Sequence, residues 1–232
     1  MEILMAAKII AVVNQKGGAG KTTVSMQLAG TFGRRGKKVL IIDADPQATA
    51  TRWAASAEDE RPFPAVISGL SAAGDKVHRE ARKYVDDFDI IIIDCPPAAD
   101  SPVPQSALMI ADIGIVPVIP SPLDLWASVG IGKVITNIRD INEQLQPVIL
   151  VNQCQLNTSL AKEAMDVLPQ FGIPVLKTRL HHRTAYRQSA VFGGTVHDLG
   201  PRAAQAIAEV DALTDEIGKL LKAKPQPVSQ VS

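Results

Sequence analysis

A glycine-rich stretch at residues 16–23, KGGAGKTT, holds the residues with the clearest chemistry in this sequence. Small residues let backbone N–H groups turn inward toward phosphate oxygens, and a helix that follows adds the positive end of its dipole. Lys21 can neutralise the β- and γ-phosphates of a nucleotide, and the Thr22 hydroxyl can ligate Mg²⁺. We therefore expect a phosphate-binding loop with contacts from Gly17, Gly18, Ala19, Gly20, Lys21, Thr22 and Thr23.

The stretch departs from the usual phosphate-loop pattern, G-x-x-x-x-G-K-[ST], at its first position, which Gln15 occupies. An extra lysine, Lys16, precedes the glycines. Two other interpretations compete. One is a glycine-rich strand–helix turn without a ligand. The other is a dinucleotide-binding turn, which Asp43 downstream would favour, but its third glycine position holds Thr23 and it leaves Lys21 unexplained.

Two aspartates, Asp43 and Asp94, each end an aliphatic run. The carboxyl ends of parallel strands meet at one edge of a sheet, so both carboxylates are candidates for the site of the phosphate loop. We expect Thr22, Asp43 and Asp94 to form the metal site, with Asp94 holding Mg²⁺ through water and Asp43 lying behind Thr22 or the metal. The alternative for each acid is capping of an adjacent loop.

Strand-like and helix-like segments alternate along the chain. That alternation predicts a single α/β domain over residues 1–222, with a mostly parallel twisted sheet covered by helices on both faces. Residues 223–232 (AKPQPVSQVS) are typical of a disordered tail. The predicted strands are 8–14, 38–43, 89–94, 113–119, 147–152 and 175–180, and the predicted helices are 22–35, 75–85, 125–142, 159–171 and 201–222.

Composition excludes several classes of protein. The 232 residues carry a formal net charge of zero, so a nucleic-acid site has to be a local patch. The two cysteines, Cys95 and Cys154, have no metal-ligand spacing, which argues against a structural zinc site and a disulfide framework. The start of the chain is unlike a signal peptide, and no apolar run is as long as a membrane span. We expect a cytoplasmic protein without a membrane partner.

Three segments resemble the ParA/MinD superfamily. KGGAGKTT is similar to its deviant Walker A motif, KGGxGK[ST]. Residues 43–47 (DADPQ) resemble its DxDPQ motif, and residues 91–97 (IIIDCPP) resemble its Walker B region. The resemblance extends to Asp198, and SPLD at residues 121–124 is most like short ParF-type partition proteins, with McdA-like cargo-positioning ATPases similar in size. It implies a weak ATPase that uses ATP and Mg²⁺ and dimerises on ATP.

The resemblance also implies residue roles. Lys16 is the signature lysine, which in relatives reaches across the dimer to the nucleotide phosphates of the partner. Asp45 matches the residue that orients or activates the attacking water, so the implied catalytic set is Lys16, Lys21 and Asp45. Asn152 matches a position that hydrogen-bonds adenine; a turn-forming asparagine is the alternative.

A basic segment lies near the end of the chain. Residues 167–197 contain no acid. This segment occupies the region where ParA relatives contact nonspecific DNA, and a solvated basic surface is the alternative. The resemblance further implies a ParB-like or other adaptor that stimulates hydrolysis, a plasmid, chromosome or other cargo, and association with the nucleoid. The candidate DNA-binding residues are Lys177, Arg179, Arg183 and Arg187.

Rival functions exist within the same superfamily. A MinD-like membrane-surface ATPase would use the last helix as an anchor, but the acidic residues of that helix, such as Glu209 and Glu216, favour packing on the sheet. A metabolic ligase would need a small-substrate pocket, for which no residue set is apparent. An iron protein of the nitrogenase type would need a second cluster-ligand cysteine besides Cys95.

Overall fold

The computed structural model describes residues 6–97, 101–155, 163 and 165–223. Within these ranges, seven strands form one sheet in the order β3-β2-β4-β1-β5-β6-β7, and every strand pairing is parallel. The predicted α/β fold with a mostly parallel sheet is confirmed. The strands are β1 (Lys8–Val12), β2 (Val39–Asp43), β3 (Val66–Gly69), β4 (Ile90–Asp94), β5 (Ile113–Val118), β6 (Gln146–Cys154) and β7 (Val175–His181).

Helices connect the strands and cover the sheet. The α-helices with defined bounds are α1 (Lys21–Arg34), α2 (Thr49–Ala55), α3 (Val77–Arg82), α4 (Val103–Leu108), α5 (Pro122–Arg139), α6 (Thr184–Val191) and α7 (Ala204–Lys222). Short 3₁₀ helices span Ser71–Lys76, Leu168–Phe171 and Val196–Ala203.

The core lies on both faces of the sheet, because successive side chains of each strand point to opposite faces. In β1 and just beyond it, Ile9, Ala11 and Val13 belong to one buried cluster, which also includes residues of α3, α4 and α5. Ile10 and Val12 belong to the other, which includes residues of α1, α2, α6 and α7. A sheet buried on both faces explains why its strands are continuous aliphatic runs.

The strand order places the phosphate loop at a point where the winding reverses. After β1 the chain moves to one side of the sheet to form β2 and β3, and β4 then returns to lie beside β1. From β5 onward the chain moves to the other side. Parallel sheets bind ligands in the crevice at such a reversal, outside the carboxyl ends of the strands. The loop at residues 13–20 leaves β1 at that point.

Several elements were absent from the predictions. The short strand β3 and the helices α2, α4 and α6 were not predicted, and the predicted helix at 201–222 begins at Ala204 after a 3₁₀ segment. The predicted helix at 159–171 lies partly outside the described residues, and its end, Leu168–Phe171, is a 3₁₀ helix. Of the predicted tail, residues 224–232 lie outside the described residues.

The last helix, α7, packs on the sheet as expected. Its apolar stripe is in the core, where Val210, Leu213 and Ile217 have no exposed surface. Its acids bind the free edge of β7: the Glu216 carboxylate accepts hydrogen bonds from the backbone N–H groups of Lys177 and Thr178, at 2.8 and 2.9 Å. These contacts leave the buried stripe unavailable to a membrane surface. None of the helices within the described ranges is long and apolar enough to cross a membrane.

Candidate functional site

The phosphate loop has the backbone that a phosphate cradle needs. Gly18 and Gly20 adopt left-handed conformations, with φ of 77° and 88°. Helix α1 begins directly after Gly20, at Lys21, and no side chain caps its first turn. The first N–H groups of a helix have no partner within the helix, so they and the dipole face the loop. This geometry is that of an anion site at a helix N-terminus.

Asp94 lies beneath the loop at the end of β4. Its buried carboxylate accepts hydrogen bonds from the hydroxyl groups of Thr22, at 2.7 Å, and Ser25, at 3.0 Å. Burial raises the pKa of this carboxyl to about 7, with a smaller contribution from Asp43, while the two hydroxyl groups and Lys21 oppose the shift. Thr22 and Asp94 are therefore brought together as the sequence predicted.

The Lys21 side chain folds back into its own loop. The residue is 6% exposed, and its ammonium donates a hydrogen bond to the backbone carbonyl of Lys16 at 3.1 Å. Burial lowers the pKa of Lys21, and the nearby Asp94 carboxylate opposes that shift. A buried ammonium inside the loop is placed to meet a phosphate, which would supply a second negative charge besides Asp94.

Asn14 and Gln15 hold the beginning of the loop. The Asn14 side chain donates to the carbonyl of Pro117 at 2.7 Å and accepts from the N–H of Lys16 at 3.0 Å. Gln15, which replaces the usual glycine, packs against Gly130 of α5: a Cβ atom built there would lie 2.2 Å from the Gln15 amide oxygen. Because Gly130 has no side chain, it leaves room for the Gln15 side chain, which replaces the usual glycine. Lys16 lies between these anchors and the glycines.

Asp43 makes the contacts of a helix cap. Its carboxylate accepts hydrogen bonds from the N–H and the hydroxyl of Thr51, both at 2.8 Å, and from the N–H of Asp45 at 3.3 Å. These contacts match the capping alternative and follow from α2, which the sequence analysis missed. Asp43 still faces Asp94 in the parallel register, so it contributes negative charge next to the Thr22 site.

Asp45 begins the connection from β2 to α2. It is 9% exposed, and its carboxylate accepts a hydrogen bond from the N–H of Gln47 at 2.9 Å. Ala48, at the start of α2, has a left-handed φ of 49° that alanine rarely adopts. At the other end of α2, the Trp53 indole N–H donates to the carbonyl of Gly194 at 2.9 Å. Helix α2 thus connects the Asp45 turn to the segment that follows α6.

Asn152 contacts the phosphate loop directly. Its amide nitrogen donates to the carbonyl of Ala19 at 2.8 Å, and the neighbouring Gln153 donates to the carbonyl of Gly18 at 2.7 Å. The register of β6 with β7 shifts between Val151 and Cys154, and Gln153 has a left-handed φ of 51°. The bulge directs two successive side chains to the loop, which we call the amide clamp (Asn152 and Gln153). An adenine contact by Asn152 remains a prediction for the nucleotide-bound state.

The basic segment is partly neutralised by the helix that follows it. Arg183 binds the Glu209 carboxylate through two nitrogens, at 2.6 and 3.0 Å, and His181 and Tyr186 contact the same carboxylate. Arg183 is therefore already paired with Glu209. Lys177, Arg179 and Arg187 are exposed and remain candidates for DNA contact.

The residues at the loop suit a magnesium–nucleotide complex. Mg²⁺ is usually bound by one or two carboxylates or hydroxyls together with phosphate oxygens. The Thr22 hydroxyl and the Asp94 carboxylate lie 2.7 Å apart beside the loop and supply such ligands. Within the described ranges, no group of three or more His, Cys, Asp or Glu side chains is arranged to hold a metal ion.

Comparison with known proteins places this site in a family. Residues 10–196 match the CobQ/CobB/MinD/ParA nucleotide binding domain. Maintenance of carboxysome distribution protein A from Halothiobacillus neapolitanus is 32% identical, and the match covers 90% of this chain and 95% of that protein. Chromosome-partitioning ATPase Soj from Thermus thermophilus is 28% identical, with 85% of this chain and 91% of that protein covered.

A solved structure supports the fold. The ATP complex of a Cyanothece McdA variant superposes with a TM-score of 0.75 at 17% identity, covering 97% of this chain and 99% of that one. At this identity the likeness shows the fold alone. The fold, the geometry of the phosphate loop and the family match all indicate a nucleotide-binding domain.

Proposed function

The chain belongs to the CobQ/CobB/MinD/ParA family of nucleotide-binding domains as a ParA/MinD-type ATPase, and from this premise we propose that it dimerises on ATP and then binds DNA without sequence preference. An adaptor protein, ParB-like in role, stimulates hydrolysis and so releases the dimer from DNA. The cycle positions or partitions a cargo, and the protein is associated with the nucleoid. Intrinsic turnover is weak.

The observation that carries this proposal is the presence of two lysines in one phosphate loop. Lys21 is buried beside Asp94 and points into its own loop, where it serves the nucleotide of its own subunit. Lys16 lies at the edge of the loop, partly exposed, ahead of Gly17. A second cation at the γ-phosphate of a partner subunit would stabilise the charge that develops during phosphoryl transfer.

Mg²⁺ would be held by Thr22 and by Asp94, directly or through water. When bound, the metal neutralises phosphate charge. Asp94 needs to be ionised for this role; burial raises the pKa of its carboxyl to about 7, and a bound cation would favour the ionised form. Asp45 would hold the attacking water in line with the γ-phosphate, because its carboxylate lies in the turn that follows β2.

The kind of cargo is proposed from the relatives. Maintenance of carboxysome distribution is the function in the name of the relative with 32% identity, and chromosome partitioning is in the name of the Thermus thermophilus protein. Both matches cover most of both chains, and the higher identity of the first favours a protein assembly as cargo over a plasmid or chromosome. The adaptor would then belong to that assembly.

Filter binding to a random-sequence duplex tests ATP-gated DNA binding. The account predicts retention with ATP and Mg²⁺, little retention with ADP or without nucleotide, and a steep loss of affinity as salt is raised. Lys21→Ala is expected to lose the ATP effect. Equal affinity of the wild-type protein in all three nucleotide states would overturn this function.

A pair of arginine variants tests the DNA-binding residues. Arg187 is exposed on α6, and Arg82 is exposed on α3, on the opposite face of the sheet. We expect Arg187→Ala to weaken ATP-dependent DNA binding and Arg82→Ala to leave it unchanged. Equal effects of the two substitutions would count against a contact surface near α6.

A further inference from the structure

A cleft lies away from the phosphate loop. Its volume is about 990 Å³, and its walls are the segment after α2, the end of α6 and the 3₁₀ segment Val196–Ala203. Arg34, the last residue of α1, lines it. A helix rises about 1.5 Å per residue, so the far end of α1 lies roughly 20 Å from the phosphate loop at its start. The cleft is separate from the nucleotide site.

Two bulky apolar side chains are exposed on the wall of this cleft. Val191 is 72% exposed and Phe192 is 63% exposed, and they are adjacent at the end of α6. Scattered single apolar residues are common on protein surfaces, but an adjacent aliphatic and aromatic pair beside a concave surface is typical of a protein contact. Aromatic residues are also among those that contribute most to binding energy at such contacts.

The charge of the cleft is biased toward cations. Arg61 and Arg202 line it. Neither of these two arginines forms an ion pair with another described residue. Of the two lining acids, Asp198 is paired with Arg34, which leaves Glu58 as the unpaired acid of the lining.

The walls of the cleft are fixed. A Cβ atom at Gly193 would lie 2.0 Å from the backbone nitrogen of Ala57, so the two walls are in direct backbone contact at its base. The Trp53 indole binds the carbonyl of Gly194, and Asp198 caps the 3₁₀ segment through Thr195. A preformed concave surface loses little conformational freedom when it binds a partner.

We propose that this cleft is a docking site for an acidic segment of a partner protein that inserts a bulky apolar side chain against Val191 and Phe192. Its carboxylates pair with Arg61 and Arg202, which line the cleft. Duplex DNA would satisfy the arginines, but its bases are stacked inside the helix and its phosphate backbone has no apolar group for the exposed Val191–Phe192 pair, so a peptide is the better occupant. The inference goes beyond the proposed function, because it requires neither ATP nor a dimer.

Selection from a displayed library of random short peptides tests the proposal. The full chain is the bait, and Phe192→Ser is the bait for counter-selection. We expect enriched peptides that combine Asp or Glu with Leu, Phe or Trp. For the enriched peptide, fluorescence anisotropy should show affinity losses of about tenfold or more in Phe192→Ser and in Arg202→Glu.

Matched variants at distant sites control for general surface effects. Ile141 is 66% exposed beyond the end of α5, and Arg82 is exposed on α3, so Ile141→Ser and Arg82→Glu should leave peptide affinity unchanged. No enrichment, enrichment of basic peptides, or equal binding to Phe192→Ser would each overturn the proposal. So would Arg61→Glu and Arg202→Glu variants that lose DNA retention while peptide binding is intact.

The proposed function is measured separately on the same proteins. Phe192→Ser should dimerise with ATP and bind DNA like the wild-type protein, because the substituted side chain is exposed and lies outside the phosphate loop. A wild-type protein that binds the acidic peptide without ATP-gated DNA binding would refute the proposed function alone. A wild-type protein that shows ATP-gated DNA binding but does not bind the acidic peptide would refute the docking site alone.

Discussion

At the scale of single residues, the site depends on a few buried polar groups around the phosphate loop. The Asp94 carboxylate accepts hydrogen bonds from two hydroxyl groups, and the Lys21 ammonium donates to a carbonyl of the loop. The amide clamp donates hydrogen bonds to two further loop carbonyls. Where such a group is buried, as Asp94 and Asn152 are, removing its partner leaves it without a hydrogen bond, at a cost of about 1–3 kcal/mol. The predictions at this scale concern the clamp and Asp45.

Gln153→Ala tests the amide clamp. The substitution removes the hydrogen bond to the Gly18 carbonyl while keeping a side chain at the left-handed φ of 51°. We expect ATP affinity to fall severalfold, by the loss of about 1 kcal/mol of hydrogen bonding that orders the loop. Titration with a fluorescent ATP analogue measures it. Gln105→Ala, at an exposed position of α4, is the control; an unchanged ATP affinity in Gln153→Ala would contradict the clamp.

Asp45→Ala separates nucleotide binding from hydrolysis. Lys21, Thr22 and Asp94 are untouched by the substitution, so nucleotide affinity should be retained. Turnover should fall by about 100-fold or more, the range typical of a lost general base or water-positioning group. Phosphate release under saturating ATP is the measurement. Turnover equal to that of the wild-type protein would remove Asp45 from the catalytic set.

The sequence predicted these residues unevenly, for physical reasons. KGGAGKTT and Asp94 were found because loop glycines and strand-end acids are local signals. The contact of Asn152 with Ala19 depends on a bulge near the end of β6, and no local sequence pattern predicts that bulge. The cap made by Asp43 depends on Thr51 of α2, a helix of 7 residues that is too short for a clear apolar period.

At the scale of elements, β7 and α7 are joined by carboxylates. Glu216 binds two backbone N–H groups of β7, and Glu209 binds His181, Arg183 and Tyr186. An exposed strand edge is open to pairing with another chain, and these acids cover part of it. The excess of cations in residues 167–197 is visible in the sequence as a local pattern, but acids that balance part of it, Glu209 and Glu216, come later in the sequence, on α7.

Glu209→Gln tests this junction and its dependence on pH. Burial alone would raise the pKa of Glu209, but hydrogen bonds from Arg183, His181 and Tyr186 outweigh it and hold that pKa below its usual value. A depressed carboxyl pKa gives stability that is present above the unfolded pKa, near 4.5, and is lost as pH falls through the folded pKa. The wild-type protein should be about 1–3 kcal/mol more stable than Glu209→Gln at pH 7.

Urea unfolding at several pH values measures this difference. It should be largest at neutral pH and shrink as pH falls below about 4.5, because the carboxyl is protonated first in the unfolded chain and then, at its lower folded pKa, in the native protein. Glu80→Gln is the control, because Glu80 of α3 forms an exposed pair with Lys83 just beyond the helix, and it should show a small difference at any pH. If the difference in unfolding free energy between the wild-type protein and Glu209→Gln were the same at neutral and acid pH, the charge of Glu209 would have no role in stability.

The elements that were not predicted are short. Strand β3 has 4 residues at the edge of the sheet and only partial burial, so its sequence lacks the aliphatic run that identified the central strands. Helices α4 and α6 have 6 and 8 residues, and tertiary contacts rather than propensity stabilise helices of that length. The strands at the centre of the sheet were predicted because they are buried on both faces.

At the scale of the whole molecule, the parallel sheet presents a loop whose two lysines serve different subunits in the proposed dimer. The parts within one chain are in place: Lys21 is directed to its own loop, and Thr22 and Asp94 lie together. The part that one chain cannot supply is the second cation at its own γ-phosphate. The proposed mechanism therefore requires a dimer that forms only when ATP is present.

Light scattering on the Asp45→Ala protein tests this claim most directly, because the variant should retain ATP. With ATP and Mg²⁺ the account predicts the mass of a dimer, and without nucleotide or with ADP the mass of a monomer, 24.7 kDa per chain before substitution. The doubly substituted protein, with Lys16→Ala added, should bind ATP and remain a monomer. The same mass with and without ATP, or an ATP-dependent dimer without Lys16, would contradict the account.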